Sequence, residues 1–279
     1  MFITLNSCSE NKISDIKSST DYYFLKSNSD NDLFIFLTGY NQNFYEVIQT
    51  NSTLLNQLKS KDYSVLFINS SNTLLYDSLE LDNIYKQVIE ILQNKFPKSI
   101  HIGGFSMGGF GAAKLLLKFQ KENQKGNSLI LVDSPLDLNR FTKSIVNQIT
   151  NTEKISREEA KYIYNLIKSK AVSSSISIDS LCRRETVVSA ENALGVKDFL
   201  LTKTKIFAFT NLSLGWQFLN RGRSLYDMHA LDISMFLSNQ KKRGNSNIFL
   251  CIEKTENTNP HSWSNLNVDS LLKWVSYVR

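Results

Sequence analysis

Ser106 lies in Gly104-Phe105-Ser106-Met107-Gly108, a G-x-S-x-G spacing that puts a serine hydroxyl on a sharp strand-to-helix turn. The chemistry such a turn serves is nucleophilic, because an exposed hydroxyl can attack a carbonyl once a base takes its proton. Positions two before and two after the serine lie too close to the turn for a Cβ, and both are glycine. Gly109, Gly111, Ala112 and Ala113 then keep the first helical turns slim enough to pack on a sheet. The start of that helix also aims backbone N–H groups at negative charge forming beside the serine.

The base must come from three histidines. His101 falls inside the strand that leads to the elbow, where its side chain points into the sheet layers and reads as structural. His229 opens a predicted helix. His261 lies in Asn259-Pro260-His261-Ser262-Trp263, after the last strand and at the edge where Ser106 emerges. We take His261 as the base and His229 as the second choice. The histidine needs a carboxylate to hold its tautomer. Asp227, between the last two strands, is placed first, with Asp133, at the tip of the strand after the elbow helix, as the alternative. Asp232 reads as a solvated helix residue. The oxyanion hole is expected from the Met107 amide together with the loop Thr38-Gly39-Tyr40, in which Gly39 permits close approach and Tyr40 is the second donor.

The elements that must position these residues are legible as alternating strands and helices. Continuous apolar runs at 32–39, 63–69, 99–105, 127–133, 204–210 and 247–252 read as strands covered on both faces. Short strands at 1–5 and 22–25 precede them. Helical spacing covers 44–58, 79–96, about 229–241 and about 266 to the C-terminus. From 136 to 203 the chain is helical and more polar, with a capping box at Ser156-Arg157-Glu158-Glu159, and reads as a lid inserted over the site. We therefore expect one domain over 1–279, a mostly parallel sheet with helices on both faces. Trp216, Phe218 and Tyr226 read as core, with an acyl or sugar pocket as the other use of such side chains.

Composition narrows the partners. A net charge of +6 is spread along the chain, with no basic run longer than Lys241-Lys242-Arg243, so no nucleic-acid groove is indicated. Three cysteines, Cys8, Cys182 and Cys251, are odd in number and far apart, which fits reduced thiols. No signal-peptide pattern opens the chain and no run approaches transmembrane length, so the expected address is the cytoplasm. Metal-ligand spacings are missing, no metal is expected, and the glycines around Ser106 lack the Lys-Ser/Thr of a phosphate loop.

With Ser106, His261 and the strand rhythm in place, the chain resembles the α/β-hydrolase superfamily from about residue 30 onward. The stretch 104–112 is similar to the elbow of bacterial serine esterases, and the overall layout is similar to bacterial polysaccharide O-acetyltransferases on this fold. It departs from the commonest pattern in having Thr38-Gly39 where His-Gly is usual, and in an acid, Asp227, far from its strand. The resemblance implies a Ser-His-Asp esterase acting on a small-molecule ester without a cofactor. A second reading is an O-acetyltransferase moving acetyl from acetyl-CoA to a saccharide hydroxyl, and a third is a non-catalytic hydrolase fold used for interaction.

Overall fold

Eight strands form one sheet among the described residues: β1 (Ile16–Ser18), β2 (Tyr22–Leu25), β3 (Leu33–Leu37), β4 (Ser64–Ile68), β5 (Ile100–Phe105), β6 (Ser128–Val132), β7 (Lys205–Asn211) and β8 (Ile248–Glu253). Their order is β1-β2-β4-β3-β5-β6-β7-β8. The β1–β2 and β2–β4 pairs are antiparallel and every other pair is parallel. The computed structural model describes residues 16–18, 22–27, 32–69, 74–92, 97–124, 126–189, 204–254 and 259–277. The expected strand at 1–5 and the last part of the 136–203 insertion lie outside these residues.

Helices cover both faces of β3 to β7, as their apolar runs require, whereas β8 is an edge strand that leaves Phe249, Leu250 and Ile252 exposed instead of covered on both faces. One face carries α3 (Ser78–Leu92), α4 (Met107–Lys121), α5 (Leu138–Gln148), α6 (Lys154–Ser173), α7 (Ile178–Glu185) and α9 (Ala230–Lys242), which share a core through Val88, Leu115, Ile145, Ile167, Leu181 and Phe236. The other face carries α1 (Phe44–Thr50), α2 (Ser52–Ser60) and α10 (Val268–Tyr277), packed through Phe44, Leu58 and Leu271. A short helix, α8 (Leu214–Arg221), follows β7. None of the helices among the described residues is long and apolar enough to cross a membrane.

The chain reverses its direction of travel across the sheet between β3 and β5, so the crevice for a ligand opens at the carboxyl ends of those two strands. The loop after β3 and the turn after β5 flank that crevice. They hold Gly39–Tyr40 and Ser106.

Three local readings differ from the structure. The helix expected over 44–58 is two helices, because Asn51 ends the first through its backbone amide and caps the second with its side chain. Its Oδ1 accepts from the Leu54 amide at 3.0 Å and its Nδ2 donates to the Trp263 carbonyl at 2.7 Å. The start of α6 is capped by Glu153, which accepts from the Ile155 and Ser156 amides, so the capping box at Ser156 does not form. Asp232 is fully buried rather than solvated. Its carboxylate pairs with Arg140 Nε at 2.5 Å and accepts from the Leu136 and Asp137 amides at 2.9 and 3.2 Å. Arg140 also donates to the Tyr226 carbonyl, so one buried pair ties the start of the insertion to α9 and to the segment before it.

Candidate active site

Strand register delivers the site. Phe105 pairs with Val132, and Val132 with Phe209. One position further along each strand stand Ser106, Asp133 and Thr210, side by side at the carboxyl edge. The row is fastened by the Ser106 amide donating to the Val132 carbonyl at 2.9 Å and the Asp133 amide to the Phe209 carbonyl at 2.8 Å.

Ser106 has φ 52° and ψ −128°, a conformation that costs a residue with a Cβ on the order of 1–3 kcal/mol. The flanking glycines make it attainable. A Cβ on Gly104 would strike the carbonyl group of Gly108 and come within 2.7 Å of the Gly109 nitrogen, and one on Gly108 would strike the carbonyl oxygens of Leu37 and Thr38. Glycine thus lets α4 begin hard against the end of β3. Met107 is the first residue of α4, and its amide is one of those an α-helix leaves without an intrahelical partner.

His261 reaches this row from beyond β8 because Trp263 pegs its loop back across the sheet. The Trp263 ring is buried, meets Phe36 edge-on at 5.8 Å between centroids and lies 5.5 Å from Phe105. The Asn51 bond to the Trp263 carbonyl holds the same loop from below. Phe105 lies 4.5 Å from the His261 ring.

The carboxylate on His261 is that of Asp133, with Oδ2 2.5 Å from Nδ1. Thr210 Oγ1 donates to the other oxygen at 3.1 Å. Burial pushes the Asp133 carboxyl up, but the bond from His261, its charge and the Thr210 hydroxyl together hold it below the ordinary carboxylate range. An ionised Asp133 accepts a proton on Nδ1, which leaves Nε2 as the basic nitrogen. Asp133 itself has φ 45°, so the acid and the serine are both held in left-handed backbone conformations at the same edge.

Asp227, the first choice for the acid, is engaged elsewhere. Its carboxylate folds back on its own turn, accepting from the Ser224 amide at 2.8 Å and the Ser224 hydroxyl at 2.9 Å. The other oxygen accepts from Ser144 and from Gln148 Nε2. An aspartate three residues into a 3₁₀ turn satisfies local donors first, and the turn holds it off His261. His101 is buried in the sheet with Nδ1 2.6 Å from Ser128 Oγ and Nε2 3.4 Å from Asp32, as a structural histidine should be.

A cavity of about 190 Å³ opens over the row, bordered by Ser106, Met107, Gly39, Tyr40, His229 and His261. The Gly39 amide donates to Gln42 Oε1 at 3.2 Å, which takes it out of the donor set and leaves Tyr40 as the loop's candidate. The Tyr40 ring stands 6.3 Å from that of Tyr162 of α6, so the insertion touches the loop after β3. The far wall is polar. Ser144 and Gln148 of α5, Glu159 of α6 and Arg223 are joined by Gln148–Ser144, Arg223–Gln148 and Arg223–Glu159 bonds of 2.9, 2.9 and 3.2 Å. Phe218 and Tyr226 are exposed and Trp216 is half-buried, and none of the three borders the cavity or belongs to the core. Thr210, Trp263 and Arg223 escaped the sequence reading; only register and packing give them a place.

A mostly parallel sheet with a strained serine turn after β5 and a His–Asp pair at the same edge defines an α/β hydrolase. The chain belongs to the family DUF900, described as an alpha/beta hydrolase of unknown function, whose model matches residues 18–193. It is similar to carboxyl esterase 2 from the mycorrhizal fungus Tuber melanosporum, at 11% identity and a TM-score of 0.58 over 92% of this chain and 80% of that one. An esterase from Pyrococcus furiosus shares 15% identity with a TM-score of 0.53, over 97% and 96% of the two chains. The fluorophosphonate-binding serine hydrolase F of Staphylococcus aureus shares 14% identity with a TM-score of 0.51, over 92% and 95%. These likenesses are of fold. No curated protein sequence matches the chain.

Proposed function

We propose that the chain is a carboxylic-ester hydrolase that works through an acyl-enzyme on Ser106. The observation that carries this reading is the 2.5 Å bond between Asp133 and His261 at the cavity that also holds the strained serine. His261 takes the Ser106 proton on Nε2 as Oγ attacks the ester carbonyl, and Asp133 stabilises the imidazolium. The Met107 amide, with Tyr40 as second donor, holds the oxyanion. The tetrahedral adduct collapses, breaking the carbonyl carbon–alkoxy bond, and His261 returns its proton to the departing alcohol. Water, activated by the same histidine, then releases the acid and restores Ser106.

The cavity sets the size of the acyl group. At about 190 Å³ it is smaller than the roughly 300–1,000 Å³ of pockets for drug-sized ligands, which favours short acyl groups. Hydrolysis of p-nitrophenyl acetate, butyrate and octanoate tests this. We expect kcat/KM to fall at least tenfold from acetate to octanoate, and Ser106→Ala to abolish turnover. A flat or rising profile contradicts the short-acyl reading, and inert but folded protein contradicts the ester reading.

The polar wall of Ser144, Gln148, Glu159 and Arg223 supports a second reading of the same acyl-enzyme. In it a saccharide hydroxyl takes the place of water and acetyl-CoA supplies the acyl group. Acetyl-CoA incubated with a saccharide separates the two: an acetylated sugar marks the transferase, and free acetate alone marks the hydrolase.

A further inference from the structure

His229 borders the cavity but has no part in the triad chemistry. Its ring stands edge-on to that of His261 at 5.2 Å between centroids, with Phe141 behind it at 6.0 Å. Its Nδ1 is buried and has no hydrogen-bond partner among the described residues. It is the N-cap residue of α9, yet its side chain makes no capping bond. A buried ring nitrogen without a partner is rare in native proteins and calls for an explanation. Packing alone does not supply one, because an apolar ring would fill the same space beside Phe141 without stranding a polar atom.

The chemistry proposed for Ser106 says what lies beside His261. That histidine must hand a proton to the departing alcohol, so the alcohol half of the ester sits against it rather than against the oxyanion loop. His229 lies beside His261 at the same cavity, which Arg223 and Gln148 also border. Burial also pushes the His229 pKa down to about 3, with the positive groups around it adding to the effect. It therefore stays neutral and does not oppose the charge that forms on His261, and with Nδ1 sealed inside the protein the other ring nitrogen, Nε2, is the one a ligand in the cavity could reach.

We infer that His229 binds a hydroxyl group of the substrate's alcohol half, so that the site selects esters of polyhydroxylic alcohols such as sugars over esters of apolar alcohols. This rests on the acyl-enzyme reading of Ser106. It assigns His229 to binding and not to proton transfer.

The test compares two acetate esters that differ only in the alcohol: methyl 6-O-acetyl-glucoside and hexyl acetate. Wild type is expected to favour the sugar ester. In His229→Phe the ratio of kcat/KM for the sugar ester to that for hexyl acetate should fall at least tenfold, chiefly through KM. His229→Gln, which keeps a donor and an acceptor, should restore the ratio to within threefold. An unchanged ratio in His229→Phe overturns the inference, as does an equal loss on both esters, which would mean that the residue acts through His261. Fluorophosphonate labelling of wild type separates the two levels. A labelled enzyme without preference for the sugar ester refutes only the role of His229, while an unlabelled, folded protein refutes the acyl-enzyme and this inference with it.

Discussion

Asp133→Asn removes one charge and keeps the shape of the side chain. The amide oxygen can still accept from His261 Nδ1, and the Thr210 hydroxyl still has a neighbour, so the fold should survive. What is lost is the anion beside an imidazolium. Asp133 is only 8% exposed, so bulk water screens the pair poorly. For charge centres roughly 4 Å apart, an effective dielectric of about 20 gives about 4 kcal/mol, or about three decades in rate. Loss of the enforced tautomer adds to this, and about 10³–10⁴-fold is expected in total, in line with the general behaviour of such triads. The assay is the second-order rate of fluorophosphonate labelling, with circular dichroism to confirm folding. Asp227→Asn is the paired control. Its carboxylate serves Ser224, Ser144 and Gln148, so labelling should slow less than about threefold while stability drops by about 1 kcal/mol. If Asp227→Asn silences the enzyme and Asp133→Asn does not, the assignment of the acid is refuted.

Three further outcomes follow from the same geometry. His229 binds a proton in the unfolded chain below its ordinary pKa near 6.5, but in the folded protein only near 3, so stability falls as pH drops through that window. At about 1.4 kcal/mol per pH unit, wild type should lose about 2 kcal/mol more than His229→Gln between pH 7.5 and 5, read from urea midpoints; equal losses contradict the burial argument. Asp232→Ala strands Arg140 in the core and should cost about 3–5 kcal/mol in chemical denaturation, most of it recovered in an apolar double replacement of Arg140 and Asp232. Trp263→Ala empties the peg under the His261 loop. It should cost about 3–5 kcal/mol in stability and slow labelling well beyond what the stability loss explains; normal labelling by the folded variant contradicts the positioning role.

The fold was largely readable because β3 to β7 are buried on both faces and announce themselves as unbroken apolar runs, and because the elbow glycines are demanded by sterics at one turn. The carboxylate that lies against His261 was not readable in the same way. Asp133 and Asp227 both follow strands and both sit in turn-like sequence. Choosing between them needs the register that sets Asp133 beside Thr210, and the local bonds that occupy Asp227. Asp232 was misread because its partner, Arg140, lies 92 positions away, and helical periodicity cannot show a charge paired across the fold. Asn51 broke an expected helix for a similar reason, since a side chain that caps locally and also holds the Trp263 loop outweighs helix propensity. The place of His261 at the Ser106 edge could be read from loop position alone, but Trp263, two residues on, gave no sign that it packs under that loop.

The most direct measurement is mass spectrometry of the full chain after treatment with a fluorophosphonate. The account predicts one adduct, on the peptide that contains Ser106, missing in Ser106→Ala and formed at least a thousandfold more slowly in His261→Ala. Folded wild type that takes up no label, or that takes it up on a different serine, would contradict it.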